Sequence, residues 1–418
     1  MIGCFYSIVG TLITPLLRGW LTRRAKRGKE DSARMAERFG HASKPRPDGM
    51  LIWLHAASVG EVQSMLTLVR KLLEQQPTAH MLITSGNVTS AALVAQQNLP
   101  RTTHQFVPVD TYASVKRFLD HWHPNLALWV ESEFWPQLIL QAKKRNIPML
   151  LVNARLSSKS FQGWRRWPRF IKRILDAFTA IYAGSGDDAA RLRALGAANV
   201  IEAGNVKFDA DPLPVDTAAL NALSPQLGDR PLWLAASTHG NEEQMIAHAH
   251  RQIAQQFPNL LTMIVPRHAA RGDLIASELR LEGFSVVQRS KHEAIDESVQ
   301  IYLADTMGEL GSFYHLAPIV FVGGSLIAHG GHNPLEPARQ HCAILSGRYV
   351  HNFADIVKQM QEAQAIKLVG DTAELARAVS EWLHDPNDVL DSSRRAHTIV
   401  TNARGASETI LARIAELV

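Results

Sequence analysis

PIVFVGGSLIAHGGHNPLEP, Pro318–Pro337, reads as a buried strand running into Gly323-Gly324, then a second glycine pair at Gly330-Gly331, then the start of a helix. Glycines at such a turn let the backbone approach a ligand closely. Asn333 suits an N-cap, Pro334 the first helical position and Glu336 the third, so free amides and the positive helix end face the loop. A strand, a glycine turn and a helix N-terminus make a seat for phosphate. Glu336 has two readings. It either closes a capping box on Asn333, or accepts hydrogen bonds from ribose hydroxyls, as the acidic residue of a dinucleotide fold does. The glycine context favours ribose.

Outward from this stretch the same βα unit repeats. Short apolar runs at 50–57, 80–86, 104–108, 126–132, 148–154, 180–183 and 200–204 alternate with amphipathic stretches. A Pro-, Asp- and Ala-rich passage then breaks the rhythm, which restarts at 232–237, 261–266, 285–288, 300–304, 318–323, 343–346 and 366–369. With 418 residues, two α/β domains are expected. They are two doubly wound, Rossmann-like parallel sheets. The expected division is a membrane-associated segment over 1–46, a first domain over 47–210, a linker over 211–230 and a second domain over 231–418. Ligands of such sheets lie beyond the carboxyl ends of the strands, here in a cleft between facing domains.

The net charge of +5 is unevenly placed. Residues 1–46 carry ten lysines and arginines against Glu30, Asp31 and Glu37, a balance of +7, leaving −2 for the rest. A nucleic-acid binder should carry basic stripes on its folded body, so nucleic acid is not expected and an anionic membrane surface is. Ile2, Phe5, Tyr6, Val9, Leu12, Ile13, Leu16, Leu17 and Trp20 recur at helical spacing, and Arg23, Arg24, Lys26, Arg27 and Lys29 follow them. That order is wrong for a secretory signal and keeps the body in the cytoplasm. The alternative is a helix packed on the protein's own body. Pro15 and Arg18 leave open whether the segment spans the membrane or lies in its interface. The only cysteines, Cys4 and Cys342, argue for a reducing compartment and against a cysteine-zinc framework.

Other strand ends carry chemistry. Pro266-Arg267-His268 offers a planar guanidinium fork for phosphate. His268, like His239 and His332, is as much a structural or surface candidate as a ligand, since none of the 18 histidines stands at a zinc spacing. Met307-Gly308-Glu309 forms a turn able to present backbone groups to a base. In the first half, His55-Ala-Ala-Ser-Val-Gly-Glu61 places Glu61 where a base can take a proton from an attacking hydroxyl. Ser58-x-x-Glu61 is equally a capping box. Glu131 and Glu133 end an apolar run, which packing explains poorly. Lys207 either reaches a sugar carboxylate or phosphate, or is a solvated lysine. Lys159–Lys172 interleaves Trp164, Trp167 and Phe170 with Arg165, Arg166 and Arg169, a patch suiting phosphate at a membrane surface or single-stranded nucleic acid; beside the N-terminal segment, a phosphorylated lipid headgroup is favoured. Gly184-x-Gly186-x-x-Ala189 imitates a dinucleotide fingerprint, but Asp187 and Asp188 stand where pyrophosphate belongs. Asp209 and Asp211 imitate a metal-binding carboxylate pair but lie in or beside the linker.

HAASVGEV, VESEFWP, LVNARLSSKS, GNVKFD, ASTHGNEE, VPRH, GELG and GGHNPLEP follow one another across almost the whole chain, after Glu37-Arg38-Phe39-Gly40. This ordered set resembles the 3-deoxy-D-manno-octulosonic acid (Kdo) transferases of lipopolysaccharide synthesis. The resemblance implies a GT-B fold, CMP-Kdo as donor, lipid IVA as acceptor at the cytoplasmic face of the bacterial inner membrane, and inversion without a catalytic metal or cofactor. It makes Glu61 the general base, with Glu131 and Lys207 assisting the transition state. It makes Arg267, His268, Met307, Gly308, Glu309, Asn333, Pro334, Leu335 and Glu336 the contacts to CMP. Ser85-Gly-Asn-Val-Thr89 departs from the threonine-rich family pattern. The alternatives are another two-domain nucleotide-sugar enzyme, such as an epimerase, or a non-catalytic nucleotide-binding module. The number of Kdo residues added and the oligomeric state are not legible.

Overall fold

The computed structural model describes the chain from residue 2 to residue 418, with side chains from residue 14 onward. It divides into two units, one comprising the chain up to Ala210 with Ala403–Val418, the other Asp211–Asn402.

The first unit holds a parallel sheet of β1 (Leu51–His55), β2 (His80–Ser85), β3 (Thr102–Phe106), β4 (Leu126–Val130), β5 (Met149–Ala154), β6 (Ala180–Ala183) and β7 (Val200–Glu202), in the order β3-β2-β1-β4-β5-β6-β7. Strand β1 shows why its run is apolar throughout. Leu51 and Trp53 enter one core, Ile52 and Leu54 the other, so a period of two buries both faces. Trp53 meets Trp129 edge-on at 5.2 Å and donates its indole N–H to Thr84 Oγ1 at 2.8 Å. The second unit repeats the plan with β8 (Leu232–Thr238), β9 (Leu261–Pro266), β10 (Val286–Gln288), β11 (Ile301–Leu303), β12 (Ile319–Val322), β13 (Ala343–Gly347) and β14 (Lys367–Val369), ordered β10-β11-β9-β8-β12-β13-β14. All its pairings are parallel.

Two expected boundaries are corrected. The stretch 211–230 is not a bare linker: it contains the helix Thr217–Leu227, capped by Asp216 through the amides of Ala218 and Ala219, and buries Leu223 and Leu227 in the second unit. The second unit stops before the C-terminus. The helix Ala406–Leu417 returns to the first unit because Ala406, Ile410, Leu411 and Ile414 form a helical stripe that packs with Ile52, Leu54 and Val206. Asp209 fixes its start, accepting the amides of Gly405 at 2.7 Å and Ser407 at 2.6 Å. Its role is therefore a cap.

A helix runs over Ile2–Lys26. The first part of the expected apolar stripe, through Ile13, lies outside the residues whose side chains are described. Leu21 is fully buried, whereas Leu16 and Trp20 are exposed. Among the described residues no helix is long and apolar enough to cross a membrane. Part of the basic charge is spent internally. Buried Glu30 pairs with Arg24 at 2.9 Å and Arg38 at 3.4 Å, and buried Glu37 pairs with Arg34 at 2.9 Å.

Candidate active site at the strand ends of the two units

In the first sheet β1 lies between β2 and β4, so the chain reverses its direction of progress at the β1–β4 boundary. A crevice opens at the carboxyl ends of two such strands. Glu61 comes from the helix Val59–Gln75, which follows β1 and is capped by Ser58. Its amide donates to Ser58 Oγ at 3.2 Å, its Oε1 accepts from Ser58 Oγ at 2.8 Å, and its Oε2 accepts the Ala57 amide at 2.8 Å. Ser58 therefore caps the helix, but the carboxylate reaches the Ala57 amide and the Ser58 hydroxyl instead of the Ser58 amide, so the reciprocal half of a capping box is displaced by one residue. Burial pushes the Glu61 carboxyl up to about 7 against the pull of Ser58, with the charges of Glu131 and Glu133 adding to the rise. A carboxyl that titrates near neutrality is what general-base chemistry at that pH calls for.

Glu131 stands directly after β4 with φ +57°. A side chain other than glycine rarely adopts that left-handed backbone, and such strain concentrates at functional sites. Burial also raises the Glu133 carboxyl, with Glu131 contributing. Arg155 lies 3.9 Å from Glu131. Asn153, at φ +51° and fully buried in β5, accepts the Val206 amide at 3.3 Å and so holds the turn that carries Lys207. Asn205 caps that turn by accepting the Lys207 amide at 3.0 Å. The loop after β2 packs against the turn before Glu61, since Asn87 Nδ2 donates to the Ala57 carbonyl at 3.4 Å. Residue type alone does not mark out Asn153 or Arg155 within LVNARLSSKS. The signal was an asparagine ending the apolar run Met149-Leu-Leu-Val-Asn153, a position only a residue tolerant of left-handed backbone fills cheaply. In the aromatic and basic stretch, Trp164 and Phe170 pack on the core, while Arg165, Arg166, Trp167 and Arg169 are exposed.

The second sheet reverses between β8 and β12. Its Gly323-Gly324 turn does cradle an anion, but the anion belongs to the protein. Fully buried Glu242 accepts the amides of Gly324 at 2.7 Å, Ser325 at 3.0 Å, Leu326 at 3.0 Å and His239 at 3.0 Å. Further on, Asn333 Oδ1 accepts the Leu335 amide at 3.1 Å, as an N-cap does. Glu336 bonds the Asn333 side-chain amide at 3.2 Å instead of its backbone, so the reciprocal capping box is not formed. Glu336 is largely buried, and burial raises its carboxyl above the usual range despite Asn333, Arg339 and Arg267. The helix itself is short, Leu335–Arg339, and Pro334 and Pro337 bring no N–H. As a phosphate seat the stretch is weaker than its spacing suggested.

Arg267 and His268 are exposed just beyond β9. Met307 is 71% exposed and Gly308 has φ +88°, so that turn presents backbone outward. The Glu309 carboxylate is already engaged by Arg289 at 2.6 Å and by Thr306. His239, His329 and His332 come together although their spacing announced nothing. Burial, with neighbouring histidines and Arg267, lowers His239 to about 4 and His332 to about 3. The false fingerprint at Gly184–Ala189 resolves as a cap: Ser185 begins the helix Gly186–Ala194, and Asp188 accepts the Leu156 amide at 2.7 Å.

Two parallel α/β units with reactive strand ends define a GT-B-like protein. A UDP-GlcNAc 2-epimerase from Neisseria meningitidis bound to UDP-GlcNAc shares this fold, at TM-score 0.57 and 15% identity over 88% of this chain and 100% of that one. A family described as 3-deoxy-D-manno-octulosonic-acid transferase (kdotransferase) matches residues 33–210. A 3-deoxy-D-manno-octulosonic acid transferase of Haemophilus influenzae is 34% identical over 416 residues, 97% of this chain and 96% of the relative. A probable mitochondrial 3-deoxy-D-manno-octulosonic acid transferase of Arabidopsis thaliana is 35% identical over 395 residues, 92% of this chain and 88% of the relative. The chain belongs to the 3-deoxy-D-manno-octulosonic acid transferase family.

Proposed function

We propose that this chain transfers Kdo from CMP-Kdo to lipid IVA, with inversion at the anomeric carbon and without a catalytic metal, at the cytoplasmic face of a bacterial inner membrane. The observation that carries this reading is Glu61: buried, oriented by two hydrogen bonds, raised to about 7 and neighboured by the strained Glu131.

The Glu61 carboxylate removes the proton of an acceptor hydroxyl. The hydroxyl oxygen forms a bond to the anomeric carbon while the bond from that carbon to the phosphate oxygen breaks, and CMP leaves with the electron pair. Glu131 and Lys207 stabilise charge as the sugar ring becomes cationic and the Kdo carboxylate is positioned. Arg267 and His268 take the phosphate, the exposed turn Met307-Gly308-Glu309 meets the cytosine through backbone groups, and Asn333–Glu336 hold the ribose. The Glu309 side chain serves the turn's own structure through Arg289. Exposed Leu16 and Trp20, with Arg24 stacked over Trp20 at 4.8 Å, support a helix that lies at an anionic interface.

Mass analysis of lipid IVA incubated with the purified chain and continuously regenerated CMP-Kdo tests donor, acceptor and number together. Lipid IVA heavier by whole Kdo units, with CMP released only when lipid IVA is present, is expected. Unchanged lipid and intact CMP-Kdo would reject the proposal.

A further inference from the structure

We propose that His239, His329 and His332 form a binding site for a borderline divalent transition-metal cation, zinc above all, at the strand-order reversal of the second sheet. This ion is structural and takes no part in the metal-free transfer step described above, although the His239 ring lies 5.8 Å from that of His268 and His332 precedes Asn333. One ligand nitrogen from each ring lies within 4.8 Å of the other two. His239 comes from the end of β8. His329 and His332 flank Gly330-Gly331 after β12, so the site joins two pieces of chain 90 residues apart.

The local backbone is built to hold these rings together. Gly330 and Gly331 have φ +111° and +75°, values that let His329 and His332 turn toward the same side. The turn is tied down by Gly331 N–H to the Gly324 carbonyl at 2.7 Å, His332 N–H to the Gly323 carbonyl at 3.1 Å, and Asn352 Nδ2 to the Gly331 carbonyl at 3.2 Å. Gly324 is the floor: a Cβ there would stand 3.1 Å from the His332 ring and 3.3 Å from the His329 ring. Glu242 unites the two halves, since one carboxylate binds both the His239 amide and the Gly324 amide.

The rings are already in mutual contact. His239 Nε2 and His332 Nε2 are 2.8 Å apart, a spacing at which one nitrogen must carry a proton and donate it to the other. The His239 and His329 ring centroids are 3.9 Å apart. Metal–nitrogen bonds of about 2.0–2.1 Å in a tetrahedral site put ligand nitrogens roughly 3.3 Å apart. The 2.8 Å pair opens slightly and exposed His329 swings inward to reach that geometry. The ring that donated moves its proton to its own Nδ1 through solvent, leaving three neutral imidazoles on a dication with a fourth position for water. Imidazole ligands suit zinc, cobalt, nickel and copper and not magnesium or calcium. A bound ion would staple the turn leading to Asn333 onto the end of β8.

The test uses the full chain stripped of metal with a chelator and then titrated with Co2+, whose tetrahedral nitrogen complexes absorb strongly in the visible. One equivalent of Co2+ should develop such bands, one equivalent of Zn2+ should abolish them, and magnesium should not. His329→Ala should weaken binding at least about tenfold, the usual effect of disturbing even an outer partner of a metal ligand, while its circular dichroism and metal-free melting temperature match the parent. His239→Ala should do the same. If His239→Ala fails to fold, the exposed His329 variant decides. Absence of the bands, or equal affinity in the His329 variant, would overturn the proposal, the latter by showing that the metal resides on other histidines.

Discussion

Glu61 and Glu242 occupy matching places in the two units. Each lies in the first turn of the helix that follows the strand at which its sheet reverses order, β1 in one and β8 in the other. Their surroundings differ. Glu242 receives four backbone amides and serves only to bind one turn to another. Glu61 receives one amide and one hydroxyl, sits beside two further carboxylates, and is lifted toward neutrality. A helix-start carboxylate becomes chemistry or scaffold according to how many donors its own chain aims at it.

The comparison breaks most sharply on Glu61→Gln. Glutamine can still accept the Ala57 amide through its one oxygen but cannot take a proton, so kcat should fall by about 10²–10⁴-fold, with stability changed by no more than about 1 kcal/mol. Product formation with CMP-Kdo and lipid IVA, alongside thermal melting, checks both halves. Retained turnover would return Glu61 to a purely structural role.

Glu242→Ala should do the reverse. Removing a buried carboxylate strands four amides, and breaking a buried charged contact of this kind costs about 3–5 kcal/mol. A lower urea midpoint for the second unit is expected, followed by tryptophan fluorescence through buried Trp233 and Trp382. An unchanged midpoint would mean that the glycine turn holds itself.

Glu336→Ala should have the smallest effect. Loss of a ribose hydrogen bond to a charged group, about 1.5–3 kcal/mol, raises the KM for CMP-Kdo about tenfold or more with kcat nearly kept. A fall in kcat alone would place Glu336 in the chemistry instead.

Much of the fold was legible because parallel strands buried on both faces write continuous apolar runs, and all fourteen expected runs became strands. The boundaries failed where tertiary contacts decide. Leu223 and Leu227 turn a Pro-rich connector into part of the second unit, and Ile410 and Ile414 send the last helix back to the first. Among the candidate residues, Glu61 was legible as an acid at a strand-to-helix turn and Glu131 as an acid ending an apolar run. Glu242 was not assigned, because its four donors come from a loop 82 to 84 residues away and from its own turn. The histidine trio was hidden for the same reason: His239 meets the other two only when β8 and β12 pair.

The most direct measurement is the pH profile of kcat/KM with lipid IVA at saturating CMP-Kdo. The proposed mechanism requires Glu61 ionised, and its carboxyl is raised from the ordinary 4.5 to about 7. Activity should therefore be level above pH 7 and fall about tenfold per pH unit below it. The same shift makes the folded state bind a proton that the unfolded state releases, so Glu61's contribution to stability is present below pH 4.5 and lost as pH rises through about 7. Glu61→Gln should accordingly melt no lower than the parent at pH 8. An acid limb with its midpoint near 7 is the expected result; activity that stays level down to pH 5 would contradict Glu61 as the base.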